Sequence, residues 1–419
     1  MSQRGEGNGF AESLLYSSKE KRKGKIPMKK VVLAGGCRTP VGVMGGILSK
    51  IPAAELGAVV IREALKRAGV QPEQVDEVYL GCAIQAGQKP NVARQAALAA
   101  GLPVTVPAVT VNVLCGSGLQ CVNTAAKLVA GGFADIVVAG GAESMSTAPY
   151  LALNGRFGYR MGNGSLEDSM LYDALTDAFY NYHMGVTAEN VAEQYGLTRE
   201  QLDEFSAWSQ QKCEVAQRSG RFRDEIVPVE VKTKKGTILV EEDESPRPGT
   251  TVEGLSKLKP AFLKDGKVTA GNSSGVNDGA SAIVVMSEDK AKELGVTPMA
   301  YWLGGDLGGV EPSIMGVGPI TATRKLLKKS DMTIDQFDLV EANEAFAAQA
   351  LAVARDLNFD LEKLNVNGGA IALGHPLGSS GCRILVTLLH EMEKRDSKLG
   401  LATLCIGGGM GCSAVVERN

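Results

Sequence analysis

Val111-Asn112-Val113-Leu114-Cys115-Gly116-Ser117-Gly118-Leu119-Gln120 reads as the end of an apolar strand, a cysteine, and a small-residue turn running into a helix-like segment from Cys121 to Val129. A side chain set where a strand gives way to a helix sits on a sharp, exposed turn, and the helix N-terminus beside it favours a thiolate. Free cysteines are also among the most buried residues and pack as small hydrophobes, so the stretch alone leaves a reactive and a structural sulfur both open. Its recurrence in outline decides the fold. Val111-Asn112 before Cys115 is answered by Val366-Asn367 before His375, Val75-Asp76-Glu77-Val78 by Phe337-Asp338-Leu339-Val340, and Asp135 to Gly141 by Leu401 to Gly407. Matches in the same order imply a duplicated βαβαβ unit, hence an α/β fold whose equivalent loops converge across a pseudo-twofold axis. That convergence brings Cys115, Asn343, His375 and Cys405 together.

Outward from Cys115, Lys30 to Gly36 and Val75 to Gly81 are strand-like, and Asp135 to Gly141 is a fully apolar central strand. Pro52 to Gly69 carries helical periodicity through Leu56, Val59, Val60, Ala64 and Leu65 up to a Gly stop, and Ala93 to Ala100 is a small-residue helix. Residues 146–276 change character: aromatic residues and Gly-containing loops gather there, with helices at Ala188 to Tyr195 and Arg199 to Arg218 and a basic then acidic stretch from Lys232 to Arg247. So long a segment is expected to be an inserted subdomain rather than a structureless loop. The expected organisation is therefore 1–27 as a disordered extension, 28–145 as the N-terminal half, and 146–276 as the inserted loop subdomain. Residues 277–298 return to the first half, and 299–419 form the second.

A chain of 419 residues exceeds the size at which a single core keeps growing. Its 44% hydrophobic and 22% charged residues are ordinary for a soluble protein, and a net charge of −3 argues against a general nucleic-acid binder. No apolar run approaches bilayer length. The eight cysteines include no CxxC pair, and no His stands in metal-ligand spacing. Free thiols in a reducing, cytoplasmic compartment are expected, without a metal.

Only three histidines are present. His390, on a helix with a charged tail, reads as a surface residue. His375, within Asn367-Gly368-Gly369-Ala370-Ile371-Ala372-Leu373-Gly374-His375-Pro376-Leu377-Gly378, lies in a loop fixed by Gly and Pro; a structural His and a base for a cysteine are both open there. Cys405 follows an apolar strand, which suits a core residue, but precedes Gly407-Gly408-Gly409-Met410-Gly411, whose N–H groups suit an oxyanion hole. Asn343 ends another strand, where a turn or N-cap role is equally natural.

Together these stretches resemble the thiolase family from Met28 to Asn419. The matching runs are Asn112 to Gly118, Ala139 to Ser146, Ala270 to Ala280, Asn343-Glu344-Ala345-Phe346, Gly374-His375-Pro376 and Cys405 to Gly411. Related condensing enzymes of the ketoacyl synthase type lack the second cysteine, so Cys405 favours thiolase proper. The resemblance implies a layered α-β-α-β-α fold and an acyltransferase that condenses two acetyl-CoA into acetoacetyl-CoA and CoA, and runs the reverse thiolysis.

By the resemblance, Cys115 is the nucleophile, His375 takes its proton, and Cys405 removes the α-proton of the second acetyl-CoA. His375 and a water on Asn343 hold the enolate oxygen, while N–H groups of Cys115 and Gly407 hold the acyl oxyanion. Ser274 contacts the pantetheine, His183, Met184 and Phe346 wall the acyl pocket, and Arg247 lies near the nucleotide phosphates; core packing for Met184 and Phe346, and a solvated charge for Arg247, are the plainer readings. His183-Met184-Gly185 resembles the short-chain class, with a broad or long-chain 3-ketoacyl-CoA thiolase as the rival and a non-catalytic acyl-CoA-binding relative as a third reading. Coenzyme A is substrate and product, so no separate cofactor is implied. A homotetramer is implied, dimeric across the duplicated core and tetrameric through the insertion, with no nucleic-acid or membrane partner. Clustered low-pKa thiols, Cys121, Cys382 and Cys412 near the reactive pair, would also make the site oxidation-sensitive.

Overall fold

The computed structural model describes residues 28–419; the expectation for residues 1–27 lies outside them. Its frame is a ten-stranded sheet built in two halves. The first half runs Ala108–Val111, Glu77–Gly81, Ile136–Ser144, Asn277–Ser287, Val31–Arg38, with Gly42–Val43 beside Asn277–Ser287. In the second the order is Ala300–Gly309, Met410–Glu417, Leu399–Ile406, Leu339–Ala342. The halves meet antiparallel only where Val31, Val32 and Leu33 face Trp302, Tyr301 and Ala300. Each half keeps a parallel outer pair, Glu77–Gly81 beside Ala108–Val111 in one and a single Val340 to Leu364 bridge in the other. The duplication read from the sequence is thus present, with one strand reduced to a bridge.

Strand periodicity explains the layering. Val31, Leu33, Val137, Ala139, Ile283 and Val285 face one core, while Val32, Ala34, Ile136, Val138, Ala282 and Val284 face another. The first of these cores holds the helices Ser117–Ala130 and Leu377–Arg395, packed against each other, and takes Ala402, Leu404, Ile406, Ala414 and Val416 from the second half. Helices Ala53–Ala68 and Val92–Ala99 cover the outer face of the first half, Gly318–Ser330 and Ala347–Leu357 that of the second. The result is five layers, α-β-α-β-α. Strands buried on both faces carry no polar alternation, which is why they read as continuous apolar runs.

Local signals act as their chemistry requires. Helix Ala53–Ala68 starts after Pro52 and stops at Gly69, whose φ is 68°. Helix Arg199–Arg218 has the expected bounds because Thr198 and Gln201 form a reciprocal capping box. Met184–Gln194 begins four residues before the expected Ala188, since His183 caps it: Nδ1 accepts the Gly185 N–H at 2.9 Å. Likewise the helix after Cys115 begins at Ser117 rather than Cys121. Residues 146–276 put no strand into the main sheet; the next to join is Asn277–Ser287. His390 corrects the surface reading: it is buried, and its Nε2 lies 2.9 Å from the Gly36 carbonyl, because the inner face of Leu377–Arg395 is covered along its whole length.

Candidate active site

At the end of Ala108–Val111 the chain makes a tight turn before Ser117–Ala130. Leu114 takes a left-handed φ of 48°, a conformation costing a side-chain-bearing residue about 1 to 3 kcal/mol. The turn is held by its own polar groups: Asn112 Oδ1 accepts the Leu114 N–H at 2.9 Å, Ser117 Oγ accepts that of Val113 at 2.9 Å and donates to the Leu114 carbonyl at 2.6 Å. Cys115 rides on this strained turn, half-buried at a cavity of about 380 Å³.

His375 comes from the other half. Its N–H donates to Asn277 Oδ1 at 2.9 Å, and Asn277 Nδ2 is itself engaged by Gly42 O at 2.9 Å and Ser245 Oγ at 2.7 Å. Imidazole Nδ1 lies 2.6 Å from Ser380 Oγ and 3.4 Å from Asn343 Nδ2. Its Nε2, at the cavity, has no hydrogen-bond partner among the described residues. Cys405 closes the strand Leu399–Ile406, and Gly408 and Gly409, with φ of 78° and 86°, turn the chain back into Met410–Glu417. A Cβ on Gly407 would stand 2.8 Å from Leu114 Cδ1 and 2.9 Å from Met184 Cε, so a larger residue would displace these two side chains of the wall.

The cavity is lined by Cys115, His375, Cys405, Gly407, Ser274, His183, Met184, Phe346 and Arg247, all anticipated from sequence. Asn343 alone among the anticipated residues is not in the lining; fully buried, it lies against His375 and takes a 3.4 Å hydrogen bond from Arg383 Nη2 on its Oδ1. Sequence reading did not find Phe262, on which the His183 ring stacks at 4.7 Å and which meets Phe346 edge-on at 6.2 Å. Nor did it find Leu175, Met145, Met315 and Leu377 in the wall, or Ser380 and Asn277 behind the histidine. Ser380 stands two residues beyond the quoted run ending at Gly378 and was within reach; Phe262 carries no periodic or motif signal. Arg247 is exposed and shared with an adjoining cavity of about 260 Å³ bounded by Gln210, Ser245, Thr250 and Leu255.

Electrostatics overturn one expectation. Burial pushes the Cys115 thiol up to about 12, against the opposing pull of the N–H groups of Gly407 and of Cys115 itself. Cys405 is raised by burial and then by Cys115, while burial, with Arg383 second, pushes His375 down to about 3. Desolvation outweighs the helix N-terminus and favours a thiol and a neutral imidazole over a thiolate and an imidazolium. The neighbouring thiols Cys121, Cys382 and Cys412 are raised by burial too, which removes the basis for a low-pKa cluster. Glu143 ties the two halves at this point: its carboxylate accepts the N–H groups of Ala83, Ile84 and Gly378 at 2.8, 3.1 and 2.8 Å. Gly116 and Gly118 permit close packing around the turn; a Cβ would stand 2.3 Å from Ile406 Cδ1 at the first and 2.8 Å from the Cys382 nitrogen at the second.

Comparison with known proteins follows this geometry. Residues 31–289 match the thiolase N-terminal domain and 296–418 the thiolase C-terminal domain. An acetyl-CoA acetyltransferase of Syntrophomonas wolfei is 58% identical over 93% of this chain and 99% of its own; one of Chromobacterium violaceum is 57% identical over 93% and 100%. Among solved structures, the Bacillus anthracis acetyl-CoA acetyltransferase superposes with a TM-score of 0.92 at 46% identity over 93% of this chain and 99% of its own. Human mitochondrial 3-ketoacyl-CoA thiolase does so at 0.91 and 44% over 94% and 100%.

Proposed function

The chain belongs to the thiolase family, and on that premise we propose how its acetyl-CoA acetyltransferase chemistry is carried out. The observation that carries the reading is the meeting of Cys115, Cys405, the Gly407 turn and the unpartnered Nε2 of His375 at one cavity. Because both partners rest neutral, the Cys115 proton passes to His375 Nε2 as sulfur bonds to the thioester carbon. The N–H groups of Cys115 and Gly407, already directed at this sulfur, take up the tetrahedral oxyanion. The C–S bond to CoA breaks, Cys405 protonates the departing CoA thiolate, and an acetyl-Cys115 remains.

Cys405 is then a buried thiolate, a stronger base than an exposed one, and takes the α-proton of a second acetyl-CoA. The His375 N–H faces the enolate oxygen while the carbon attacks acetyl-Cys115; the Cys115 sulfur leaves and recovers its proton from His375. Asn343 acts through the imidazole it touches, and the water expected on it from the family resemblance belongs to the same step. Every proton is returned, so no resident cofactor is needed. Ser274, His183, Met184, Phe346 and Phe262 line the acyl and pantetheine arm, and Arg247 at the outer cavity suits the nucleotide phosphates.

The Met184, Met315, Leu175 and Phe262 walls favour a short acyl chain. Likeness to the human mitochondrial thiolase keeps a longer-chain 3-ketoacyl-CoA range as the second reading, which thiolysis of acetoacetyl-CoA against a long 3-ketoacyl-CoA distinguishes. For assembly, the unpaired edge of Ala108–Val111 and the exposed Phe157 and Met161 of the insertion support a homotetramer. No described helix is long and apolar enough to cross a membrane, and eight free cysteines support a reducing, cytoplasmic setting.

The deciding experiment is CoA-dependent cleavage of acetoacetyl-CoA. Cys115→Ala should keep CoA affinity and lose acetyl transfer by at least about a thousandfold. Cys405→Ser should still form the acetyl-enzyme but condense poorly, a hydroxyl being a far weaker base. Turnover by Cys115→Ala would refute the nucleophile.

A further inference from the structure

Among the described residues two arginines, Arg38 and Arg383, are completely buried, and they are treated differently. Arg38 is fully paired: Nε donates to Glu225 at 2.6 Å, Nη1 and Nη2 to Asp243 at 2.6 and 2.9 Å, and Nη1 to the Thr39 carbonyl at 3.1 Å. That is how a structural buried arginine is satisfied. Arg383, on the helix Leu377–Arg395, is 1% exposed yet leaves Nε and Nη1 without hydrogen-bond partners; its nearest carboxylate, Glu341, stands 3.9 Å away. Its one hydrogen bond to a side chain runs from Nη2 to Asn343 Oδ1 at 3.4 Å. A desolvated cation so poorly compensated is a poor source of stability.

We propose that Arg383 is a positioning residue for the acyl-transfer site: its fork holds Asn343 Oδ1, turning Nδ2 toward His375, and its charge stands behind the imidazole. Two observations converge on this. The Arg383, Asn343, His375 chain is continuous, and its far end is the unpartnered Nε2 at the cavity. Arg383 is also a charged neighbour that bears on His375, and its charge opposes protonation of the ring. A carboxamide can rotate by half a turn at little cost, exchanging its donor and acceptor ends, and a guanidinium on Oδ1 removes that freedom; the Nδ1 hydrogen that leaves Nε2 an acceptor goes to Ser380 Oγ, which itself donates to the Pro376 carbonyl at 2.9 Å. The positive charge makes the imidazole a brief holder of the Cys115 proton, so it is handed back when acetyl-Cys115 is cleaved.

The charged groups around Arg383 come from every neighbouring element. Glu341 lies on Leu339–Ala342, Arg38 on Val31–Arg38, Glu225 after Arg199–Arg218, and Asp243 after Gly236–Val240. Glu341 is itself raised by burial to about 8, so at neutral pH it is largely protonated and does not cancel the guanidinium.

The inference rests on the reading of His375 as base, and the test separates the two. Full-length wild type, Arg383→Gln and Arg383→Lys are assayed for acetoacetyl-CoA thiolysis across pH, with substrate-free alkylation of Cys115 by iodoacetamide as a readout that needs no CoA. Wild type inactive in thiolysis would defeat the functional reading, while the alkylation profiles still report on Arg383. In Arg383→Gln, kcat should fall about a hundredfold with KM changed less than about threefold, and the acid limb should move up by about one pH unit or more. Arg383→Lys keeps the charge without the fork, so its acid limb should stay while kcat falls about tenfold. Should Arg383→Gln not fold, Arg383→Lys decides alone: a wild-type kcat overturns the positioning role. An unmoved acid limb and alkylation profile in folded Arg383→Gln overturn the electrostatic one.

Discussion

Reactivity at Cys115 is decided within a few ångströms. The Asn112 and Ser117 side chains hold Leu114 left-handed and so set the sulfur at the cavity, but they do nothing to ionise it. With the thiol raised to about 12 and His375 lowered to about 3, proton transfer between them is uphill on its own, which favours its accompanying bond formation to the thioester. Alkylation of Cys115 by iodoacetamide in the substrate-free enzyme should therefore keep rising through about pH 9, as alkylation does wherever the pH is still below the thiol's own pKa. A plateau reached near pH 6 would instead reveal a resting thiolate–imidazolium pair. Local pattern is enough to find the sulfur; its ionisation depends on how much water the rest of the fold removes.

The helix Leu377–Arg395 is the element on which most of the site depends. Its first turn supplies Gly378 to the Glu143 carboxylate and Ser380 to the histidine, and one further turn supplies Arg383. It lies against Ser117–Ala130, the helix that follows the nucleophile, so the two reactive loops are set by one helix pair. Across from Arg383, the Glu341 carboxyl is raised by burial to about 8. A carboxyl raised in the folded state favours folding while it stays protonated: its contribution is complete below about pH 4.5, the unfolded value, and is lost as pH rises through about 8. Glu341→Gln cannot ionise, so its Tm should fall less than that of wild type between pH 6 and pH 9. Parallel melting curves for the two proteins would count against a buried, protonated Glu341.

At the scale of the whole molecule, the two halves repeat each other's strand order about the pairing of Val31–Leu33 with Ala300–Trp302, and the site lies where their equivalent loops meet. The first half ends in the open edge Ala108–Val111, directly before the Cys115 turn, with Val109 42% exposed. If a second copy covers that edge, Val109→Lys should lower the apparent mass in light scattering from a multiple of 43.9 kDa toward a single chain. An unchanged mass would place the interface elsewhere. The sequence by itself determined the duplication, the strand and helix pattern and the bounds of Arg199–Arg218, because each follows from residue types at a fixed spacing along the chain, and its motif resemblance singled out Cys115, His375, Cys405 and Gly407. Tertiary structure alone decided the neutral state of the cysteine and histidine, the burial of His390, the Phe262 wall and the Ser380–Arg383 support behind His375. Those depend on desolvation and on contacts between segments far apart in the chain, and no local spacing encodes how much water two packed halves exclude.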